Sequence, residues 1–381
     1  MYRIKLYNKI AKIGLSRLPA ENYEIGEEME NADAILVRSA ALHDVTFDKS
    51  LRAIARAGAG VNNIPIDRCT EEGICVFNTP GANANAVKEL AVCALLLASR
   101  NVVGAIDWAK GLEGNEDAPA AVEKGKSAFV GPEIMGKTLG IVGFGGAIGK
   151  KVAVAANALG MSVVGYDPFA SDAVVAELGD TVRRVTELSD LYEASDYISL
   201  HVPATPDTKG MINADAIAKM RDGVRILNLS RAALVDDSAI LPALEEGKVA
   251  VYVTDFPNGE VIGKKGVVAI PHLGASTPES EDNCAVMAVD EVRDYLECGN
   301  VRNSVNLPNL VKECAGEWRI TVIHEEGFDA VEAIKSLGIT VNDAQTAFRK
   351  GIAYTIADTD ADASAALTLG ENTAVKRVVV L

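Results

Sequence analysis

Short runs of aliphatic and β-branched residues alternate along the chain with Ala-rich stretches of helical periodicity. Thr138–Val142, Ser162–Tyr166, Tyr197–Leu200, 225–228 and Val249–Thr254 read as buried strands. Residues 148–159, Asp172–Leu178, 213–220 and 238–246 read as the helices between them. Strand and helix in alternation predict a parallel sheet covered on both faces, over residues 101–281. Upstream, Ala34–Val37, Ala53–Arg56 and 75–77 are strand-like and 86–99 is helical. Pro278–Cys298 forms one long helical pattern, opened by the cap-like Ser276-Thr277-Pro278-Glu279 and closed by Gly299.

After Pro308 the texture changes. Residues 319–324, a Val331/Ile334/Leu337 face, 340–348, 352–357, a helix around 360–369, and 376–380 read as βαββαβ, a ferredoxin-like order. This predicts a small independent domain behind a Pro/Asn linker at 306–309, whose removal beyond about residue 315 leaves catalysis largely intact.

Composition narrows the function classes. The chain has 381 residues, 37 Lys plus Arg against 53 Asp plus Glu, and a formal charge of −16. The length implies two or three domains. The acidity argues against a nucleic-acid binder and against a polybasic membrane anchor. The run at 90–99 is too short to span a bilayer, and residues 1–15 mix basic and apolar positions, so no membrane segment and no signal peptide are expected. The six cysteines have no CxxC spacing and read as reduced thiols of a cytoplasmic protein; with only four histidines, no metal site is expected.

Two constellations carry chemistry. Gly143, Gly145, Gly146 and Gly149 follow a strand and open a helix, so backbone N–H groups and the helix dipole are free to meet a pyrophosphate. Asp167 closes the next strand, where an acid accepts from an adenosine ribose and disfavours a 2′-phosphate, which points to NAD. The loop is one residue longer than G-x-G-x-x-G. The second constellation is Arg231, Asp255 to Glu260, and His272, each past the carboxyl end of a strand. His titrates near neutrality, a carboxylate orients it, and Arg clamps an anion. His201 also sits at a strand end and is placed at the cofactor.

These residues, with 56–63 (RAGAGVNN), 78–81 (NTPG), 228–231 (NLSR) and 271–275 (PHLGA), resemble the D-isomer-specific 2-hydroxyacid dehydrogenases. The resemblance implies a Rossmann-type NAD domain (101–281) inserted in a flavodoxin-like substrate domain (1–100 and 282–310), followed by an ACT-like regulatory domain (317–381). It implies NAD-dependent oxidation of D-3-phosphoglycerate to 3-phosphohydroxypyruvate, the first step of L-serine synthesis. A hydroxypyruvate or glyoxylate reductase and a non-catalytic NAD sensor are the alternatives. Carried over, His272 moves the proton of the 2-hydroxyl, Glu260 tunes His272, and Arg231 holds the substrate carboxylate. The cofactor set is Thr79, Gly143, Gly145, Gly146, Ala147, Ile148, Gly149, Asp167, His201, Val202, Pro203, Leu229, Ser230, Arg231, Asp255, His272, Gly274 and Ala275. The substrate set is Arg38, Ser39, Arg56, Ala59, Gly60, Val61 and Arg231. A homodimer or homotetramer is expected, with serine as effector of the C-terminal domain.

Overall fold

The computed structural model describes residues 1–381, which divide into two units. The first comprises 1–83 and 278–381; the second comprises 84–277.

The first unit opens with a parallel sheet of β1 (Tyr2–Tyr7), β2 (Tyr23–Gly26), β3 (Ala34–Val37), β4 (Ala53–Arg56) and β5 (Cys75–Asn78), in the order β2-β1-β3-β4-β5. That is the flavodoxin-like order. Alternate side chains serve opposite faces. Ala34, Leu36, Ala53, Ala55 and Phe77 meet Ala288, Val292 and Leu296 of the long helix Pro278–Cys298. Ile35, Val37, Ile54 and Val76 face Leu42, Ile64 and Cys69. Arg3 and Lys5 alternate with Tyr2, Ile4 and Leu6 in β1, the period of a half-buried strand and not the unbroken apolar run of the strands read from the sequence.

The second unit carries a seven-stranded sheet of β6 (Thr138–Val142), β7 (Ser162–Tyr166), β8 (Arg183–Val185), β9 (Tyr197–Leu200), β10 (Val224–Asn228), β11 (Val249–Thr254) and β12 (Val267–Ala269). Its order is β12-β11-β10-β9-β6-β7-β8, all parallel, so chain direction across the sheet reverses between β6 and β9. This doubly wound order is the Rossmann arrangement, and the reversal point is where such sheets bind ligands. The three-residue strands β8 and β12 are too short to show a period. The helix Ala84–Ser99 packs Ala91, Ala94, Leu95 and Ala98 against Val152, Ala153 and Ala156 of the helix Ala147–Ala158. The unit boundary therefore falls at 83/84 and not at residue 100. No single helix is long and apolar enough to cross a membrane.

A third, antiparallel sheet belongs to the first unit: β13 (Trp318–Glu325), β14 (Asp343–Arg349), β15 (Ile352–Thr359) and β16 (Val375–Val380), in the order β14-β15-β13-β16. With the helix Ala330–Ser336 and a 3₁₀ segment Ser364–Glu371 this is the ferredoxin-like βαββαβ plan; the last crossover is a tighter helix than expected. The domain is not independent. One face holds Ile320, Val322, Ile334 and Ala357 under its own helices. The other places Ile323, Tyr354 and Ile356 in the same core as Tyr295, Val301 and Leu307. The expected linker is likewise ordered. Asn306 is buried, its Oδ1 accepts from Val76 N at 2.8 Å and its Nδ2 donates to Ile74 O at 2.8 Å.

Candidate active site

The glycine loop starts at the carboxyl end of β6. Gly143 has φ +85°, and a Cβ there would lie 2.4 Å from the carbonyl oxygen of His201, which follows β9. Gly145 is equally confined, with Asp167 Oδ2 2.9 Å from a Cβ position. Gly149 stands in the first turn of the helix Ala147–Ala158, where a Cβ would fall 2.2 Å from Gly143 O. Gly149 therefore performs the close strand–helix packing of the third fingerprint glycine, and the extra residue is absorbed before the helix begins. Lys150 N donates the first helical bond to Gly146 O at 3.0 Å, so the N–H groups of Ala147, Ile148 and Gly149 precede the ladder. A backbone cradle with no room for a Cβ at Gly143, Gly145 or Gly149, at a helix N-terminus and a sheet reversal point, fits a dinucleotide pyrophosphate.

Asp167 stands at the end of β7 as expected. Its Oδ2 accepts from Gly145 N at 3.1 Å and its Oδ1 from Phe169 N at 2.9 Å. The acid thus shapes the glycine loop while each oxygen keeps lone-pair capacity for a further donor. His201 Nε2 lies 2.8 Å from Ser199 Oγ, while its Nδ1 is buried with no partner. Burial pushes this imidazole down to about 4, so it is neutral across physiological pH. Val202 supplies a methyl to the Gly143 turn, and Pro203 O accepts from Thr208 Oγ1 at 2.7 Å.

Past β10, buried Asn228 moulds the loop that presents Arg231. Its Oδ1 accepts from the N–H groups of Ser230 and Arg231 at 3.3 Å, and its Nδ2 donates to Arg231 O at 2.9 Å. Leu229 is buried in the sheet's core, and Ser230 Oγ donates to Leu200 O at 2.6 Å, tying the ends of β9 and β10. Past β11, Asp255 is 1% exposed and neither carboxyl oxygen has a hydrogen-bond partner of good geometry, the N–H groups of Gly274 and of Asp255 itself lying near enough only to pull on its charge. Burial raises its carboxyl above the usual range, against the opposing pull of His272 and Arg231. Gly274 packs beside it, a Cβ there lying 3.4 Å from Asp255 Oδ2, and Ala275 follows in the same turn.

Phe256 joins the set, although the sequence reading overlooked it. The Arg231 guanidinium lies 5.7 Å from its ring centroid, and the His272 ring lies 4.4 Å away at 44°. One aromatic side chain thus separates the anion clamp from the titratable ring. Its position directly after the strand-end Asp255 was the only signal in the sequence. Glu260 is exposed, its N–H donates to Asn258 Oδ1 at 2.9 Å, and its carboxylate forms no ion pair with His272. Asp255 is the carboxyl on which the charge of His272 acts, pulling it down against burial.

The residues of the first unit cluster at the carboxyl ends of β3, β4 and β5. Arg38 Nη2 donates to Glu281 Oε1 at 2.6 Å, so this guanidinium is ion-paired within its own unit. Arg56 Nε donates to Arg38 O at 2.9 Å. Asn8, in the left-handed region at φ +70°, accepts from Ser39 N at 2.9 Å. Ala59 O accepts from Asn78 Nδ2 at 2.6 Å, holding the turn through Gly60 and Val61 toward β5. Thr79 is fully buried and its hydroxyl has no partner.

Comparison with known proteins agrees with this geometry. A family profile described as the D-isomer specific 2-hydroxyacid dehydrogenase NAD binding domain matches residues 92–274. The chain is 34% identical over 331 residues to a D-3-phosphoglycerate dehydrogenase of Bacillus subtilis, covering 82% of this chain and 60% of that protein. It is 38% identical over 286 residues to a hydroxypyruvate reductase of Thermotoga maritima, covering 71% of this chain and 87% of that protein. The chain spans between 54% and 60% of the length of the first phosphoglycerate dehydrogenase relatives it matches. Among solved structures, an NAD+-bound 3-phosphoglycerate dehydrogenase of Entamoeba histolytica aligns with TM-score 0.62 and 27% identity over 80% of this chain and 98% of that one. A glyoxylate reductase of Paecilomyes thermophila aligns with TM-score 0.65, 27% identity and the same coverage.

Proposed function

We propose that this chain, which belongs to the D-isomer specific 2-hydroxyacid dehydrogenase family, uses NAD to oxidise D-3-phosphoglycerate to 3-phosphohydroxypyruvate. The observation that carries the chemistry is the grouping of Arg231 and His272 about Phe256, beside buried Asp255, at the same sheet edge as the glycine cradle. When bound, the nicotinamide supplies the hydride acceptor. Ala147, Ile148 and Gly149 offer N–H groups to the pyrophosphate, and Asp167 offers its remaining lone pairs to the ribose. The unpartnered oxygens of Asp255 suit the N–H donors of a carboxamide.

Arg231 clamps the substrate carboxylate and draws charge toward the forming carbonyl. His272 takes the hydroxyl proton as general base. We assign Glu260 the task of pairing with His272, which requires the segment 256–266 to bring its carboxylate to the ring. Arg38, Ser39, Arg56 and 59–61 are assigned to the substrate's phosphate and carboxylate; for Arg38 this means exchanging Glu281 for the substrate. Apolar side chains left exposed on the helices Val102–Lys110 and Ala118–Gly125, among them Ile106 and Val122, support a homodimer or homotetramer. Six free thiols support a reducing compartment, the cytoplasm. Serine is retained as effector of the C-terminal sheet, where the loop at Gly327 is open, although Asn342 Nδ2 is already engaged by Ala315 O and Asp360.

Steady-state oxidation of NADH with phosphohydroxypyruvate, hydroxypyruvate and 2-oxoglutarate tests the reading. The highest kcat/KM is expected with phosphohydroxypyruvate. A preference for hydroxypyruvate would replace it with the second reading, favoured by the Thermotoga relative, of which the chain covers 87%. NADH binding without turnover of any of them would leave a sensor.

A further inference from the structure

The first unit holds a cavity of about 650 Å³ between the long helix Pro278–Cys298, the turn after β5, and the segment that follows the helix. Val286 and Met287 give it an apolar wall, and Gly81 and Ala82 form one edge. Its polar wall is acidic, and two of the three acids are already compensated. Asp290 Oδ1 accepts from Arg17 Nε at 2.5 Å. Asp294 Oδ2 accepts from Arg302 Nε at 3.1 Å and its Oδ1 from Asn300 Nδ2 at 2.9 Å. Glu291 is the exception. It is 5% exposed, its Oε1 accepts from Asn303 Nδ2 at 2.7 Å, and its Oε2 is buried without a partner.

A buried carboxyl with one orphan oxygen at a cavity wall calls for a donor that also carries positive charge. A divalent cation needs six or more oxygen ligands, and Asp290 and Asp294 are committed to arginines. An ammonium needs only one strong acceptor and leaves an alkyl stem to lie on Val286 and Met287. We propose that this cavity is a binding site for a small primary alkylamine, its ammonium donating to Glu291 Oε2 and its chain covering Val286 and Met287. The proposal does not depend on the substrate assigned above.

Proton linkage offers a specific readout. Burial, with some help from Asp290, pushes the Glu291 carboxyl up to about 8 despite the Asn303 hydrogen bond. The other charged or titratable groups facing it are Asp290, ion-paired with Arg17, Asp294, ion-paired with Arg302, and the Cys75 thiol of β5, which burial raises. A bound ammonium therefore displaces a proton from Glu291 at pH 7.

Titration calorimetry of the full chain with n-butylammonium, in two pH 7 buffers of different ionisation enthalpy, tests this. Saturable binding is expected with release of close to one proton per amine, an affinity that rises about tenfold from pH 6 to 7, and no binding of n-butanol. Glu291→Gln is expected to lose at least about tenfold in affinity together with the proton release. Met287→Lys, which tethers an ammonium in the cavity, is expected to abolish amine binding and raise Tm. Equal binding of n-butanol, no saturable binding of the amine, or unchanged affinity and proton release in Glu291→Gln would overturn the proposal.

Discussion

Arg319 on β13 grips Asp358 on β15 with two hydrogen bonds, Nε to Oδ1 at 2.7 Å and Nη2 to Oδ2 at 3.1 Å, and both side chains are nearly or fully buried. The same guanidinium donates from Nη1 to Cys298 O at 2.7 Å and to Lys312 O at 2.9 Å. One arginine therefore joins the C-terminal sheet to the end of the long helix. Lys312 and the Ala315 N–H complete the Asp358 site. Breaking a buried pair by removing one partner leaves an uncompensated charge. Asp358→Ala is expected to destabilise the first unit by about 3–5 kcal/mol. Urea unfolding followed by circular dichroism checks it; a change below about 1 kcal/mol would make the pair ornamental.

The acid side of stability follows from the same site and from His201. Burial alone would raise the Asp358 carboxyl, but Arg319, Lys312 and Ala315 outweigh it and hold it below its usual value. Its contribution is complete above the ordinary carboxylate range and is lost as pH falls through the depressed folded value. His201 acts at higher pH. Its folded value near 4 lies below the ordinary imidazole value of 6.5, so the unfolded chain takes up a proton that the native one refuses. Stability is full above pH 6.5 and falls between 6.5 and 4, by up to roughly 3 kcal/mol. His324, whose imidazole burial also lowers, adds a loss of the same sign. Tm measured from pH 7 to 4 should fall, and His201→Gln should flatten that decline.

Two glycines of the loop, Gly146 and Gly149, separate the packing of the cradle from its flexibility. A Cβ on Gly149 meets Gly143 O at 2.2 Å, whereas a Cβ on Gly146 finds nothing closer than 3.5 Å, with φ −71° that alanine accepts. Gly149→Ala is expected to weaken NADH at least about tenfold, and Gly146→Ala to leave it within about threefold, by fluorescence titration. Equal effects would show that the Gly143–Gly149 contact does not shape the site.

Removing the chain beyond Ala315 is not expected to leave a sound catalytic body. Ile323, Tyr354 and Ile356 share a core with Tyr295 and Val301, and Tyr354 Oη donates to Gly299 O at 2.7 Å. Arg377 Nε donates to Gly73 O at 2.7 Å, and Arg349 Nη1 to Ser304 O at 2.6 Å. Truncation uncovers these aromatic and aliphatic faces, with a loss on the order of 1.5–3 kcal/mol for each large side chain left exposed. The truncated chain should aggregate or melt well below the intact one in a thermal scan; an unchanged Tm would restore the independent domain.

Replacing His272 with Ala should abolish turnover while NADH binding stays within about threefold, since the helix N-terminal N–H groups of Ala147, Ile148 and Gly149 are left intact. Stopped-flow binding and steady-state rates together decide it. Retained turnover would place the proton relay elsewhere.

The periodic apolar runs by themselves determined five strands of the seven-stranded sheet and β3, β4 and β5 of the first, because strands buried on both faces leave an unbroken β-branched signal between helices. The same runs located Gly143, Asp167 and Asp255, each directly after a strand, and Arg231 and His272, each three residues past one, where parallel sheets open. What stayed hidden depends on partners distant in sequence. β1 carries a local period-2 pattern, Tyr2, Ile4 and Leu6 against Arg3 and Lys5, but its central place between β2 and β3 is set by tertiary pairing. Phe256 gains a role only because Arg231 and His272, 25 positions before it and 16 after it, flank its ring. Glu260, which the resemblance pairs with His272, has its N–H held by Asn258 and its exposed carboxylate unpaired with the ring, so the pairing rests on movement of the segment 256–266. The C-terminal sheet read as separate because one apolar face suffices for a small βαββαβ domain. Only the tertiary structure shows that its second face is spent on Tyr295 and Val301. A linear pattern records that a residue is apolar or charged; which surface satisfies it is settled by packing and long-range hydrogen bonds.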